Sequence, residues 1–392
     1  MWRMNGGVEM TWNCLLVAVV LAGSLIGGLG TAASAQEADG KQWVYIGTYT
    51  RGDSRGIYRG EFDGVTGALT NIELAAEADN PSFLAVHPNG KYLYAVSEID
   101  RGRDGKVLAY EIDGESGGLR FLNEQTSRGS GPCDLEVDPS GRFVVAANYG
   151  GGSVVSIAIN EDGSLGEVAG FVQHEGSSVN DSRQEGPHAH AVEFDKRSDR
   201  LFVADLGLDK VMVYRLGEAG ELVANDPPFG ETEGGAGPRH VAMQPGERVL
   251  YSINELDSTV TVFTYNGEDG SLVRLQRVST LPDGYTGGNS TAEIQAHPDG
   301  HLVYASNRGH DSIAIYGTDS ITGILRPMGH ESTRGQTPRY FGIDPSGRFL
   351  LAGNQRSNDI AVFSIDRATG GLSAAGDLVA VPSPVCMVFV GR

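Results

Sequence analysis

The chain of 392 residues is poor in cysteine and in positive charge, and each shortage argues against a class of protein. It has three cysteines and three tryptophans, and no Cys/His spacing resembles a zinc site. Lysine and arginine number 30 against 50 aspartate and glutamate residues, which gives a formal net charge of −20. This acid excess argues against nucleic acid or an anionic membrane surface as a partner.

Long apolar runs are also lacking, with one exception near the N-terminus. Residues 14–30 are apolar or small and precede Ala33-Ser34-Ala35, a small-x-small cleavage pattern. The arrangement predicts a secretory signal peptide over residues 1–35 and an exported protein, periplasmic or secreted. An uncleaved membrane anchor is the alternative, but the run is short for a spanning helix. We expect no stable membrane insertion after cleavage.

Glycine is the residue in excess. The chain has 56 glycines, about twice the average usage of roughly 7%. No Gly-X-Y period appears, which excludes collagen, and a hydrophobic content of 40% disfavours disorder. Glycine spread in this way is typical of turns between many short strands.

Two motifs recur about every fifty residues, the spacing of propeller blades. The first motif is an apolar stretch, a turn that usually contains Pro-x-Gly, and another apolar stretch. The last stretch occurs at Val44–Tyr49, Tyr92–Glu98, Phe143–Tyr149, Leu201–Leu206, Val249–Glu255, Leu302–Arg308 and Phe349–Gln355. The second is an alternating strand and a glycine-containing turn that end on Leu69, Leu119, Leu165, Leu222, Leu272, Leu325 and Leu372. Alternation around such a turn indicates a hairpin, so each repeat predicts four antiparallel strands, A to D.

These counts predict an all-β fold, a seven-bladed β-propeller over residues 36–392 as a single domain. The first strand, Val44–Thr48, is of B type, and the last, Cys386–Val390, is of A type. We expect the C-terminal strand to join the N-terminal blade and close the ring, which removes an exposed edge. Cys133 and Cys386 then lie two blades apart, too far for a disulfide.

In a propeller, the starts of the A strands and the ends of the B strands converge on one face, where function is expected. Charged and amide side chains fill these positions: Arg239, Arg308, Arg339, His188, His190, His240, Glu98, Asp205, Glu255, Glu293, Asn148, Asn254, Asn307 and Asn354. Such a ring suits an anionic, oxygen-rich small molecule. The structural alternatives are that Arg239 and Arg339 only pair with Glu255 or Asp344, that the histidines only hydrogen-bond within the fold, and that the asparagines only hold turns. Of the pair His188 and His190, we expect one in the channel and one in the blade packing.

Several of these segments resemble one family. Gly237-Pro-Arg-His240, Ser252-Ile-Asn-Glu255, Ala305-Ser-Asn-Arg308, Thr337-Pro-Arg339 and Tyr45-Ile-Gly-Thr-Tyr49 are similar to signatures of the bacterial seven-bladed propeller lactonases, the 6-phosphogluconolactonase group related to fungal carboxy-cis,cis-muconate cyclase. The resemblance implies hydrolysis of a lactone, either a sugar-acid lactone such as 6-phosphogluconolactone or a related cyclic ester, at the channel mouth.

The resemblance also implies a catalytic group of His190, Arg239, Glu255 and Arg308. Candidate substrate contacts are Asn148, His188, Asn254, Asn307 and Arg339. Glu255 or His190 would take a proton from water, and the sequence leaves open which, while Arg239 and Arg308 would hold an anionic group or the developing oxyanion.

The expected partner is a small anionic lactone, with no metal, no cofactor and a monomeric protein. Two alternative functions remain at this point. One is a muconate-cyclase-type lyase or isomerase that uses the same residues. The other is a non-enzymatic propeller of the cell envelope that binds a ligand or a protein at the same mouth.

Overall fold

The computed structural model describes residues 40–99, 103–195 and 200–392, which form strands and turns without a helix. The predicted signal peptide lies outside these residues. Among the residues that are described, no helix is long and apolar enough to cross a membrane.

Twenty-nine strands follow one another along the described chain. The first fifteen are β1 (Lys41–Thr48), β2 (Gly56–Asp63), β3 (Leu69–Glu77), β4 (Leu84–Val86), β5 (Tyr92–Ser97), β6 (Lys106–Ile112), β7 (Leu119–Thr126), β8 (Pro132–Val137), β9 (Phe143–Asn148), β10 (Ser153–Ile159), β11 (Leu165–Gln173), β12 (Ala189–Phe194), β13 (Arg200–Asp205), β14 (Lys210–Leu216) and β15 (Leu222–Glu231). The others are β16 (Pro238–Met243), β17 (Val249–Asn254), β18 (Thr259–Tyr265), β19 (Leu272–Ser279), β20 (Ser290–Ala296), β21 (Leu302–Arg308), β22 (Ser312–Thr318), β23 (Leu325–Ser332), β24 (Pro338–Ile343), β25 (Phe349–Asn354), β26 (Asp359–Ile365), β27 (Leu372–Ala374), β28 (Val379–Ala380) and β29 (Pro384–Gly391).

The strands form seven antiparallel sheets, and the seven-bladed prediction is confirmed. Blade 1 has the order β29-β1-β2-β3, so the C-terminal strand is its innermost member, as expected. Blades 2 to 6 are β4–β7, β8–β11, β12–β15, β16–β19 and β20–β23. Blade 7 departs from the plan of four strands, because its outermost strand is split into β27 and β28, which both pair with β26.

The inner strands contact one another in an unbroken circle, in the order β29, β4, β8, β12, β16, β20, β24 and again β29. The B strands are buried on both faces, which explains their continuous apolar sequences. The buried apolar clusters lie between neighbouring blades, as in the packing of β5 and β6 against β8–β11. Cys133 and Cys386 are buried and free, as predicted.

The glycine-containing turns also occur where the sequence predicts them. Each of the seven repeated leucines is the first residue of the outermost D strand in its blade. The glycine that precedes it has a positive φ in all seven turns, at Gly67, Gly117, Gly163, Gly220, Gly270, Gly323 and Gly370. The repeated turns between the outer strands therefore account for seven of the glycines.

Candidate active site

A β-bulge occurs at the start of the A strand, where three of the predicted site residues lie. In five blades the register with the B strand skips one residue, and the skipped residues are Cys133, His190, Arg239, Arg339 and Val385. A bulge re-aims the side chain of the extra residue. Three of the skipped residues are predicted site residues, and Cys133 lies among them as an unpredicted neighbour.

Glu255 is the centre of a group of charged side chains. It follows the end of β17, and its two carboxylate oxygens accept hydrogen bonds from three arginines. Arg183 Nη2 donates to Oε1 at 2.7 Å, whereas Arg239 Nε and Arg308 Nη2 donate to Oε2 at 3.0 and 2.8 Å. Blades 5 and 6 and the loop before β12 are thus tied together by a single carboxylate.

The two predicted arginines of this group are also held by main-chain oxygens of β20. Arg239 Nη1 donates to the carbonyl of Ala292 at 2.7 Å, and Arg308 Nη2 donates to that of Thr291 at 2.5 Å. Their side chains are only 2% and 12% exposed. Both guanidinium groups are therefore fixed in direction before any ligand arrives.

The electrostatics of Glu255 argue against its use as a base. Burial by itself would raise the pKa of Glu255, but the neighbouring Arg308 and Arg239 outweigh burial and hold it well below the usual range. Glu255 is therefore ionised at neutral pH. Its role is to neutralise and orient arginines.

His190 has the opposite environment. Burial, and then the positive charges of Arg239 and Arg339, lower the pKa of His190 well below its usual value. Its ring lies against Tyr149 and His240, with centroid distances of 5.3 Å to each, and its Nδ1 is 3.7 Å from the Cys133 sulfur. The imidazole is therefore uncharged at neutral pH and has a nitrogen lone pair available.

His188 corrects one expectation. It does not lie in the blade packing, because its ring stacks on Tyr149 at 4.5 Å, the same ring that contacts His190 at its edge. Its Nδ1 is 3.0 Å from the carbonyl oxygen of Tyr149. Because the bulge falls at His190, strand alternation does not separate the two rings. Both histidines therefore lie in one cluster around Tyr149.

Arg339 lies beside Tyr49, which is bonded to a second carboxylate, that of Glu98. Its guanidinium carbon is 5.2 Å from the centre of the Tyr49 ring, and Tyr49 donates a hydrogen bond to Glu98 at 2.8 Å. The charge of Arg339 acts on the Glu255 group at longer range, because it lowers the pKa values of both Arg308 and His190.

The three predicted asparagine contacts lie inside their blades instead. Asn148, Asn254 and Asn307 are fully buried. The Nδ2 atoms of Asn148 and Asn307 donate to the main-chain carbonyls of Ser127 and Thr280 at 3.0 and 2.8 Å, and Asn254 Nδ2 donates to threonine hydroxyls of β18. The turn-holding alternative fits all three, because no face of the amide is open to a ligand. We therefore leave them out of the proposed site.

The remaining carboxylates of the two predicted columns also have partners. Asp205 bonds to His174 at 2.6 Å, and Glu293 bonds to His240 at 2.9 Å. In the part of the chain that the structure describes, no group of three His, Cys, Asp or Glu side chains is arranged to hold a metal ion.

Sequence reasoning missed Arg183 and Tyr149 as members of the site. Arg183 lies in the segment 174–188, which joins the outermost strand of blade 3 to the innermost strand of blade 4. It bonds to the Tyr149 hydroxyl at 3.1 Å as well as to Glu255. The length of this connection on the functional face was the available signal, since inserted loops there carry function.

Known proteins are similar to this chain over most of its length. Residues 43–389 match the family described as lactonase, seven-bladed beta-propeller. The 6-phosphogluconolactonase of Bacillus subtilis is 38% identical over 346 residues, which cover 88% of this chain and 97% of that protein. A 6-phosphogluconolactonase of Formosa agariphila is 35% identical over 310 residues, 77% of this chain and 86% of that protein.

A solved structure is similar over the same region. The periplasmic gluconolactonase of Pseudomonas aeruginosa has a TM-score of 0.85 and 33% identity, and the match covers 90% of this chain and 99% of that one. The chain therefore belongs to the family of seven-bladed propeller lactonases.

Proposed function

We propose that this protein hydrolyses a sugar-acid lactone at the channel mouth, with His190 as the base and Arg239 and Arg308 as the groups that bind the substrate carbonyl. The observation that carries the proposal is the Glu255 carboxylate with three arginines bonded to it. A fixed cluster with excess positive charge beside a neutral, buried imidazole suits a reaction that develops an oxyanion. The relatives named as lactonases support the same reaction.

The environments of the two candidate bases favour His190. Both oxygens of Glu255 are occupied by arginine donors, and the pKa of Glu255 lies well below its usual value, so this carboxylate takes a proton poorly. His190 is neutral, and a negative group that forms beside Arg239 would offset the charge that lowers the imidazole pKa. The basicity of His190 would thus rise as the reaction proceeds.

The proposed steps move one proton between two oxygens. His190 accepts a proton from water as the water oxygen attacks the lactone carbonyl carbon, and the resulting oxyanion is stabilised by Arg239 and Arg308. The carbon–oxygen bond of the ring then breaks, and the imidazolium returns the proton to the departing ring oxygen. The product is the open hydroxy acid.

We propose further that the protein is exported and acts as a monomer on lactones outside the cytoplasm. Export is supported by the apolar run at residues 14–30 and the pattern Ala33-Ser34-Ala35, which together are typical of a signal peptide. One structural relative is a periplasmic gluconolactonase. Mass spectrometry of the protein recovered outside the cytoplasm of expressing cells should find a mature chain that begins at Gln36. An intact N-terminus in the cytoplasm would contradict export.

A panel of aldonolactones tests the proposed reaction. The purified protein should open δ-gluconolactone or its 6-phosphate faster than the buffer does, and His190→Gln should lower kcat by about 100-fold or more. His301→Gln is the matched control, because His301 is exposed at an inner turn of blade 6. Turnover that is absent, or unchanged in His190→Gln, would leave a binding propeller as the better description.

A further inference from the structure

Arg183 differs from the other arginines of the Glu255 group in its exposure. Its side chain is 40% exposed, against 2% for Arg239 and 12% for Arg308. Within the described residues, the hydrogen bonds of Arg183 use only Nη2, which donates to Glu255 and to the Tyr149 hydroxyl. The Nε and Nη1 donors are therefore available to a ligand that enters from solvent.

The loop that carries Arg183 is anchored on both sides of it. The main-chain N–H groups of Arg183 and Gln184 donate to the carbonyl of Asn180 at 3.1 and 2.7 Å. The Gln184 side chain is fully buried and donates to the carbonyl of Leu206 at 2.8 Å. Arg183 is therefore presented by an ordered turn, which reduces the entropy lost when it binds a ligand.

The charges of the group give the class of ligand. Three guanidinium groups surround one carboxylate, so the group as a whole carries about two positive charges in excess. A phosphoryl dianion would neutralise this excess, and a guanidinium fork binds phosphate oxygens in pairs. An uncharged lactone would leave the excess unneutralised.

We infer that Arg183 is a specificity-determining residue, which selects lactones that carry an anionic substituent away from the ring carbonyl. The inference rests on the proposed function, because it assigns Arg239 and Arg308 to the carbonyl end of the same substrate. Arg183 contacts the distal substituent, and its bonds to Glu255 and Tyr149 hold it in place when the site is empty.

A ratio of substrate specificities tests the assignment. The ratio is the kcat/KM for 6-phosphogluconolactone divided by the kcat/KM for δ-gluconolactone. Arg183→Gln should lower this ratio by about tenfold or more, because one charge-assisted hydrogen bond to the substrate is lost. Arg183→Lys keeps the charge without the fork and should recover part of the ratio. Arg277→Gln is the control, because Arg277 lies on β19, an outermost strand, where its side chain is 47% exposed and pairs with Asp257.

The outcomes separate this inference from the proposed function. Equal losses on both lactones in Arg183→Gln would overturn the inference, since Arg183 would then only support Glu255. If the parent protein hydrolyses neither lactone, the proposed function fails. Calorimetric titration with 6-phosphogluconate and gluconate then replaces the kinetic measurement as the test of the inference. A preference of the parent for the phosphorylated acid that is lost in Arg183→Gln would still support the inference, and equal affinities would overturn it.

Discussion

Glu255 joins guanidinium groups from three separate segments of the chain. Its partners lie in the loop before β12, at the start of β16 and at the end of β21. Removing one member of a buried ion group leaves the others uncompensated, at a cost of about 3–5 kcal/mol for a single buried pair. The residue that looks most like a catalytic base is thus better explained as the counter-charge of the site.

The pH dependence of the reaction should report on His190. Burial and the charges of Arg239 and Arg339 lower the pKa of His190, so kcat/KM should stay level as pH falls to 6.5 and decline only below it. Arg339→Gln removes a positive charge, raises the pKa of His190 and should move the acidic decline to higher pH. The measurement is kcat/KM between pH 5 and 8, corrected for spontaneous hydrolysis.

Arg277→Gln again serves as the surface control and should leave the acidic decline where it is. A decline centred at or above pH 6.5 in the parent protein would contradict an imidazole of lowered basicity. An unshifted decline in Arg339→Gln would mean that a different group titrates.

At the residue scale, the sequence predicted which side chains meet, but not their roles. Arg239, Glu255, Arg308 and His190 were identified from their places at strand ends and from family motifs, and the structure brings them together. Of the partners of Glu255, only Arg239 was suggested by the sequence, as a structural alternative, because the other two depend on side-chain distances between separate blades. Arg183 lies in a loop, where no strand register assigns it a position.

At the scale of single elements, the bulge is the feature that strand periodicity could not reveal. A period of two assigns successive residues to opposite faces, and this rule fails where an extra residue enters the strand. Cys133, His190, Arg239 and Arg339 occupy that extra position in their blades. The bulge is therefore part of how the fold builds the site.

The turn between the third and fourth strands of blade 2 gives a prediction for an element. Gly117 has φ of 66°, and a Cβ there would lie 2.6 Å from the Trp43 ring, while its carbonyl accepts a hydrogen bond from Tyr45 at 2.8 Å. Gly117→Ala should lower the free energy of unfolding by about 1–2 kcal/mol for the left-handed backbone, and by more if the ring is displaced. Chemical denaturation measures the change.

Gly118→Ala provides a control one residue away. A Cβ at Gly118 would meet only the Ser116 hydroxyl, at 3.2 Å, so this variant should unfold close to the parent. If both variants were equally stable, the contact between the turn of blade 2 and the first blade would not matter to folding.

At the scale of the whole molecule, the closure of the ring was predictable from strand types. A chain that begins with a B strand and ends with an A strand must combine the two to complete a blade, and β29 pairs with β1 as that reasoning requires. The split of the outermost strand in blade 7 was not predictable, because it lies in a short segment with no repeated motif.

Closure gives the last prediction. Val385, Cys386 and Met387 of β29 are buried, and β29 contacts both β24 and β4. A chain that ends before Pro384 would lose the inner strand of blade 1, would expose the hydrogen-bonding edge of β1 and should aggregate or melt well below the parent. Removing only Arg392 keeps every residue of β29 and loses an ion pair with Glu61 and a contact with the Trp43 ring, so its effect should be small by comparison.

A permuted chain separates the loss of the strand from the loss of the chain end. Gly391 lies opposite Gln42 in the register of β29 and β1, so a short turn could join residues 384–391 directly to the start of β1. This permutant would keep every strand of every blade and should regain the solubility and melting temperature of the parent, measured by size-exclusion chromatography and circular dichroism. Recovery in the permutant, with failure of the truncated chain, would assign the stability to the closed ring of strands. A truncated chain that melts like the parent would contradict that assignment.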